Sequence, residues 1–353
     1  MMKTSGAIII LCTLLFVMPI GGRAATATPV QKSYCFPNGI SDAEGERAYI
    51  RNSAGGIDSI NLKTGKLLWT TPAASVPLIV SGAHLLAFKY MSENIIQIVK
   101  IDSKTGEAAT TSEPINFPEG MKVSSTRDET FALEPKVIDT ILELAWRGRT
   151  FYEGGAPPPK HILDKSQQQF SGMFQVDLAT GTVTSKSADD VTDSLEAPKS
   201  PLTTLDTVDW KIQDQVVTLT SKREQQGQAL FMKPARAKST KLFSGPNLVT
   251  NITADGLYVL IRSTQSAPTT WHLFSAETGR EIRTVPYETG AQQPCVSADR
   301  LFYLAPDVKS EKGRVIALKA IDLHSGRVLW SRELKETGGG SRPLPPAVHP
   351  PVN

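Results

Sequence analysis

The chain has 353 residues, with 38 lysines and arginines against 35 aspartates and glutamates and a formal charge of +3. So even a balance gives no long-range field for capturing nucleic acid or steering acidic partners. At 40% hydrophobic residues the composition is that of a globular protein with a core, not of a disordered or disulfide-dense chain.

Residues 1–27 read as an export signal. Lys3 gives the positive start, Ala7 to Ile20 a short apolar core, and Gly22-Arg23-Ala24 or Ala25-Thr26-Ala27 a small-residue cleavage site. The run is short for a membrane span; a retained signal anchor is the alternative. Cys12 follows Leu11 rather than a small residue, which makes a poor lipoprotein site. Cleavage removes Lys3 and Arg23, lowers the formal charge to +1, and leaves a mature chain with no expected transmembrane segment.

Residues 28–334 are organised by one recurring unit. Its first copy is Ile60-Asn61-Leu62-Lys63-Thr64-Gly65-Lys66-Leu67-Leu68-Trp69; its fullest is Ile321-Asp322-Leu323-His324-Ser325-Gly326-Arg327-Val328-Leu329-Trp330. In the fullest copy Ile321, Leu323, Val328 and Trp330 alternate with polar residues, the period of half-buried strands. Gly326 supplies the positive φ of a tight turn, and Asp322 is placed to accept from the turn's free N–H groups. Trp330 offers an apolar plate to a neighbouring sheet. Asp102 to Gly106 and Asp177 to Gly181 keep the acid and the turn without the tryptophan, whereas the copy ending at Gly279 keeps only the turn and its apolar lead. A degraded sixth copy is read in Ala229 to Met232 followed by Ser239 to Phe243.

The turn glycines 65, 106, 181, 279 and 326 are separated by 41, 75, 98 and 47 residues. The short intervals match the roughly 40–50 residues of a four-stranded blade, so an all-β propeller of antiparallel blades is expected. Ala48-Tyr49-Ile50, Leu85 to Phe88 and Ile95 to Val99 supply the short runs of a meander. Ser112 to Glu119, with Pro114 and Pro118, is a poor strand and is expected to bridge blades. Val137 to Ala145 fits a helix or a strand by local pattern, and its β-branched content favours a strand pair. Glycines and prolines make 154–170 an inserted loop, and 187–201 a second; each is a candidate binding loop or plain decoration. Trp210 to Thr220, Ala229 to Phe243, Asn251 to Ile282 and Arg300 to Trp330 rebuild blades. The total is six, or seven if Glu107 to Leu133 hides one. Residues 335–353, rich in glycine and proline, are expected to form a mobile tail.

Two cysteines survive cleavage. Cys35 precedes the first blade and Cys295 begins the last, so closure of a ring brings their blades side by side. A Cys35–Cys295 disulfide is expected in an oxidising compartment; the alternative is a pair of buried thiols.

The unit Asp-x-x-Thr-Gly-x-x-x-Trp resembles the pyrroloquinoline-quinone-type repeat of propellers, over most of residues 34–334. That family includes quinoprotein dehydrogenases and cofactor-free propellers such as the outer-membrane assembly lipoprotein. The resemblance implies the blade and little about chemistry, because the motif is built for packing. Quinoprotein dehydrogenases are typically longer and carry adjacent cysteines beside the cofactor; here no two cysteines adjoin, so no catalytic residue is carried over. His84, His161, His272, His324 and His349 lack metal-ligand spacing, and Asp189, Asp190 and Asp193 lack the rest of a calcium loop. The expectation is a non-catalytic exported propeller with no cofactor, binding a protein or cell-envelope partner through loops at the ring's rim, with Trp and Tyr side chains as anchors. A quinoprotein oxidoreductase and a small-ligand or glycan-binding propeller are the alternatives.

Overall fold

The computed structural model describes residues 34–334 apart from 37–38, 43, 119–120, 122, 124–130, 150–168, 187–206, 213–214, 225–226, 247, 253–256, 264–269, 287, 289–290, 298 and 308–314. The expected signal segment, most of both inserted loops, the three loop aspartates, His161, His349 and the tail lie outside the described residues.

The described residues form six antiparallel sheets, each made of strands consecutive in sequence. Blade 1 comprises β1 (Tyr34–Phe36), β2 (Gly39–Ser41), β3 (Arg47–Arg51), β4 (Ile57–Asn61) and β5 (Leu67–Thr71). Blade 2 comprises β6 (Val76–Ser81), β7 (His84–Tyr90) and β8 (Ile95–Asp102), whose outer edge is covered by β9 (Ala108–Thr111) and β10 (Ile115–Asn116). Blade 3 is β11 (Phe131–Ile138), β12 (Ile141–Arg149), β13 (Gln169–Asp177) and β14 (Val183–Lys186). Blade 4 is β15 (Thr207–Ile212), β16 (Gln215–Glu224), β17 (Gly227–Lys233) and β18 (Thr240–Gly245). Blade 5 is β19 (Leu248–Ile252), β20 (Tyr258–Ser263), β21 (Thr270–Ser275) and β22 (Glu281–Pro286). Blade 6 is β23 (Gln292–Ser297), β24 (Arg300–Asp307), β25 (Val315–Asp322) and β26 (Val328–Leu334). The chain is therefore a six-bladed β-propeller.

Three sequence expectations change. The described residues of 107–133 form no seventh blade: they contribute β9, β10 and the start of β11. Ser112 to Glu119 is not merely a bridge, because Ile115 and Asn116 pair with β8 and Phe117 is buried among Phe131, Trp146 and Phe174. Val328 does not share the buried face of the strand; it is 53% exposed. The ladder skips between Ala320 and Ile321, so Trp330 faces Ala320 while Val328 faces Ile321, leaving Leu329 as the extra residue of a bulge.

Neighbouring blades are cemented by apolar side chains from facing sheets. Separate clusters fill the junctions of blades 1 and 2, 2 and 3, 4 and 5, 5 and 6, and 6 and 1. The last closes the ring: Phe36 of β1 packs on Phe302 of β24 with ring centres 5.0 Å apart, and β1 lies beside β23. Among the described residues no such cluster joins blade 3 to blade 4. β3, β7, β12, β20 and β24 bury consecutive residues on both faces, whereas β16 buries Val217 and Leu219 and exposes Val216 to 49%.

Candidate functional site

The recurring turn is a packing device. The glycine N–H donates to the carbonyl four residues back, at 2.8 Å for Gly65 to Asn61, 2.9 Å for Gly106 to Asp102, 2.7 Å for Gly181 to Asp177, and 2.8 Å for both Gly279 to Ser275 and Gly326 to Asp322. The acid satisfies the remaining donors: Asp102 Oδ1 accepts from Lys104 N and Thr105 N at 2.8 and 2.9 Å, and Asp177 Oδ1 from Ala179 N and Thr180 N at 2.7 and 3.1 Å. Asp322 Oδ1 accepts from Ser325 N at 2.6 Å, and Asn61 Oδ1 does the same job for Thr64 N at 2.9 Å. These N–H groups hold the three carboxyls below the usual carboxylate pKa.

The tryptophans link one blade's turn to the blade before it. Trp69 of blade 1 lies over Gly106 of blade 2 and donates Nε1–H to Ser103 O at 3.0 Å. Trp330 of blade 6 lies over Gly65 of blade 1 and donates to Leu62 O at 3.1 Å, across 268 residues of chain. A β-carbon on Gly65 would sit 2.6 Å from the Trp330 ring, so the glycine is required by the indole as well as by its φ of 70°. In blade 5 the same position is Arg283, whose guanidinium covers Gly326 of blade 6. That substitution was not visible in the sequence as a copy of the unit; only its place four residues after Gly279 could have signalled it. The turn residues thus come together in pairs along the ring, and they form no catalytic arrangement.

Bulges give the outer rim its character. In β5, β22 and β26 the ladder skips one residue just before the docking position. The side chains Leu67, Leu68, Ile282, Val328 and Leu329 are consequently 44–53% exposed on the outermost strands of blades 5, 6 and 1, which are consecutive in the ring. At the same positions blade 2 has Ala108 and Ala109, and blade 3 has Val183 and Thr184.

A half-buried polar cluster lies where the chain passes from blade 5 to blade 6. Glu288 accepts from Tyr303 Oη at 3.1 Å and from Lys319 Nζ at 2.8 Å on both oxygens. Burial, then the Glu288 charge, pushes the Tyr303 phenol well above its usual pKa. Every partner is satisfied, so this triad anchors the connection between the blades.

The remaining sequence candidates are dispersed. His84 lies on β7, His272 bonds Glu281 at 2.8 Å, and exposed His324 lies 3.6 Å from Asp299. Among the described residues no group of three or more His, Cys, Asp or Glu side chains is placed to hold a metal ion. No described helix is long and apolar enough to cross a membrane. Cys295 sits in β23 and packs at the junction of blades 6 and 1. Cys35 lies in the neighbouring β1, where it pairs in register with Ile40; its side chain is outside the described residues.

No family model and no curated protein matches the chain. Among solved structures it is similar to BamB from Moraxella catarrhalis, at 14% identity over 75% of this chain and 80% of that one with a TM-score of 0.32. It is also similar to TolB from Acinetobacter baumannii, at 13% identity over 84% and 66% with a TM-score of 0.35. A quinohemoprotein alcohol dehydrogenase from Pseudomonas putida HK5 matches at 13% identity over 82% and 57% with a TM-score of 0.26. The chain spans about half, 52%, of the isopeptidase AtxE2. The chain is a six-bladed β-propeller, and its likeness to these proteins is one of fold alone.

Proposed function

We propose that this is an exported, non-catalytic propeller that binds a protein or cell-envelope partner. The observation that carries the reading is the apolar outer rim of blades 5, 6 and 1. Bulges turn Leu67, Leu68, Ile282, Val328 and Leu329 outward on three successive blades, at equivalent positions. Exposed apolar groups in a repeated pattern are the feature of a contact surface, and single scattered ones are not. Export is supported by the charged start, short apolar run and small-residue site of the first 27 residues. The inserted loops need not take part.

The test uses a photo-crosslinking residue at Leu329 and, as a control, at exposed Lys186 on blade 3, in cells of the source organism. A discrete stoichiometric adduct at 329, absent at 186 and lost when Leu68 and Ile282 are changed to serine, is expected. No adduct at 329, or equal adducts at both sites, overturns the rim as the binding surface. Calorimetric titration with pyrroloquinoline quinone and calcium addresses the enzyme alternative. No heat is expected; tight stoichiometric binding overturns the non-catalytic reading.

A further inference from the structure

We propose that the end of the ring carrying the recurring turns docks on the surface of a membrane that contains anionic phospholipid. The inference rests on the rim reading above and names its cell-envelope partner as lipid rather than protein.

The meander sets which groups share that end. Each recurring turn lies beside the connection two before it in the chain: Leu62 N donates to Glu46 O at 2.8 Å, Leu178 N to Thr140 O at 2.8 Å, Ala276 N to Leu257 O at 2.9 Å and Leu323 N to Asp299 O at 3.0 Å. The turn glycines 65, 106, 181, 279 and 326 each lie against the outermost strand of the preceding blade, so the turns stand together at one end. The undescribed connections 150–168, 264–269 and 308–314 and the chain beyond Leu334 leave from the opposite end. At the turn end the undescribed connecting residues are 43, 213–214, 253–256 and 298.

Three more exposed apolar side chains join the five of the rim there. Ile138 ends β11, Val216 follows the start of β16, and Leu257 precedes β20; they are 43%, 49% and 42% exposed. The apolar stations therefore extend over blades 1, 3, 4, 5 and 6. A protein partner is gripped mainly by aromatic and arginine anchors set in pockets. These stations are aliphatic, and Trp69 and Trp330 are used on neighbouring blades. Aliphatic groups spread around one end of a ring suit a flat apolar layer just beneath a surface.

The charges beside them suit an anionic headgroup. On the apolar rim the residue after the turn glycine is an exposed base, Lys66, Arg280 or Arg327. It is Glu107 in blade 2 and Thr182 in blade 3, whose outer strands expose no large aliphatic group. Among the described residues none of the three bases pairs with a carboxylate. The acids of the arc are engaged instead: Glu281 with His272 and Glu277 with Arg236, both at 2.8 Å, and Asp322 with Ser325 N at 2.6 Å. Exposed Glu44 and Glu46 belong to the connection between β2 and β3, toward the inner strands, so contact is expected at the outer edge. Aliphatic side chains entering the headgroup layer beside lysine and arginine are how a peripheral protein holds an anionic membrane. The attraction acts at contact, since the chain as a whole is near neutral.

The path of the chain is a second, independent sign. β1 runs antiparallel to β2 with Tyr34 opposite Ser41, next to the connection that leads to β3. The chain therefore enters the ring at the turn end. Export on an N-terminal signal leaves this end nearest the membrane at which the signal is cleaved.

The experiment is sedimentation of the purified mature protein with phosphatidylcholine vesicles, with and without phosphatidylglycerol. Binding to the anionic vesicles about tenfold tighter than to the neutral ones, and weakened by salt, is expected. Leu68→Ser with Leu329→Ser is expected to weaken it about tenfold, as is Lys66→Glu with Arg327→Glu; Lys186→Glu on blade 3 is expected to leave it nearly unchanged. The photo-crosslinker at Leu329 is expected to give an adduct of phospholipid mass. A protein adduct there, to another protein or a second copy, without vesicle binding overturns the lipid and leaves the rim. Neither adduct nor vesicle binding overturns both. Equal binding to the two kinds of vesicle, or binding indifferent to the serine pair, overturns the docking of this end.

Discussion

The arc from blade 5 through 6 and 1 to 2 and the seam between blades 3 and 4 are built from the same strands and the same meander. They differ in what the second strand of each blade faces. In the arc, Leu85, Leu86, Ala87 and Phe88 of β7 are all buried, because one neighbour covers the odd positions and another the even ones. At the seam, Val217 and Leu219 of β16 are buried but Val216 is not. The arc also has docking side chains at its blade junctions: Arg283 on Gly326, Trp330 on Gly65 and Trp69 on Gly106. Among the described residues, apolar clusters thus join every pair of neighbouring blades except 3 and 4.

The comparison breaks if residues of the seam carry as much stability as those of the arc. Trp69→Ala removes a buried indole and its bond to Ser103, and is expected to cost about 3–5 kcal/mol. Phe231→Ala, on the exposed face of blade 4, is expected to cost about 1 kcal/mol, since its ring stays half in solvent. Urea unfolding of both variants at unchanged m-value measures the difference; equal losses remove the distinction between arc and seam.

Ring closure sharpens the same point. β1 beside β23 places the strands of Cys35 and Cys295 together, and we propose that the two sulfurs pair. A closed loop of this length stabilises by up to about 5 kcal/mol in the chain-entropy model. Thiol titration of the unfolded, unreduced mature protein is expected to find none. Two thiols would leave closure to the apolar cluster around Phe36, Phe302 and Trp330.

The glycines separate packing from backbone strain. Gly55 and Gly65 both have positive φ, at 85° and 70°, but a β-carbon at Gly55 would meet nothing within 4 Å while one at Gly65 would strike Trp330. Gly55→Ala is expected to cost about 1 kcal/mol from the left-handed backbone alone, and Gly65→Ala to cost at least about twice that as the indole is displaced. Matched thermal unfolding curves would show the indole's share directly, and equal shifts would mean that the docked ring yields freely.

How far the sequence foretold this follows from the same residues. The blades were legible because Gly65, Gly106, Gly181, Gly279 and Gly326 are demanded by local turn geometry, which depends on a handful of neighbours. The continuous apolar run of β7 and the alternation of β16 also carried the arc and the seam in plain sight. Strand patterns were read there only as strands, although they equally state how many neighbours a sheet has. The exposed rim was misread. An ordinary alternation puts Val328 on the face of Trp330, and the bulge at Leu329 that breaks it is set by pairing with β25, which no local pattern encodes. Arg283 in a tryptophan's place was invisible for a related reason: its role is defined by Gly326, a residue of the next blade.

The smallest expected effect is the most specific. Asp102, Asp177 and Asp322 have carboxyl pKa values lowered in the folded state by the turn N–H groups, and Asn61 fills the same position with a side chain that does not titrate. A lowered folded pKa means stabilisation that is fully present above the usual carboxylate pKa of 3.8 and lost as pH falls through the folded values. The hairpins of blades 2, 3 and 6 should therefore loosen in acid while that of blade 1 does not. Asn61→Asp is expected to add slightly to stability at neutral pH and to steepen its loss below pH ~4; Asp322→Asn is expected to do the reverse. Urea midpoints followed from pH 7 to 3 decide it. Because Asn61 and Asp322 belong to the two turns nearest the ring closure, parallel curves for all variants would show that the acid limit of the fold is set elsewhere than at its turns.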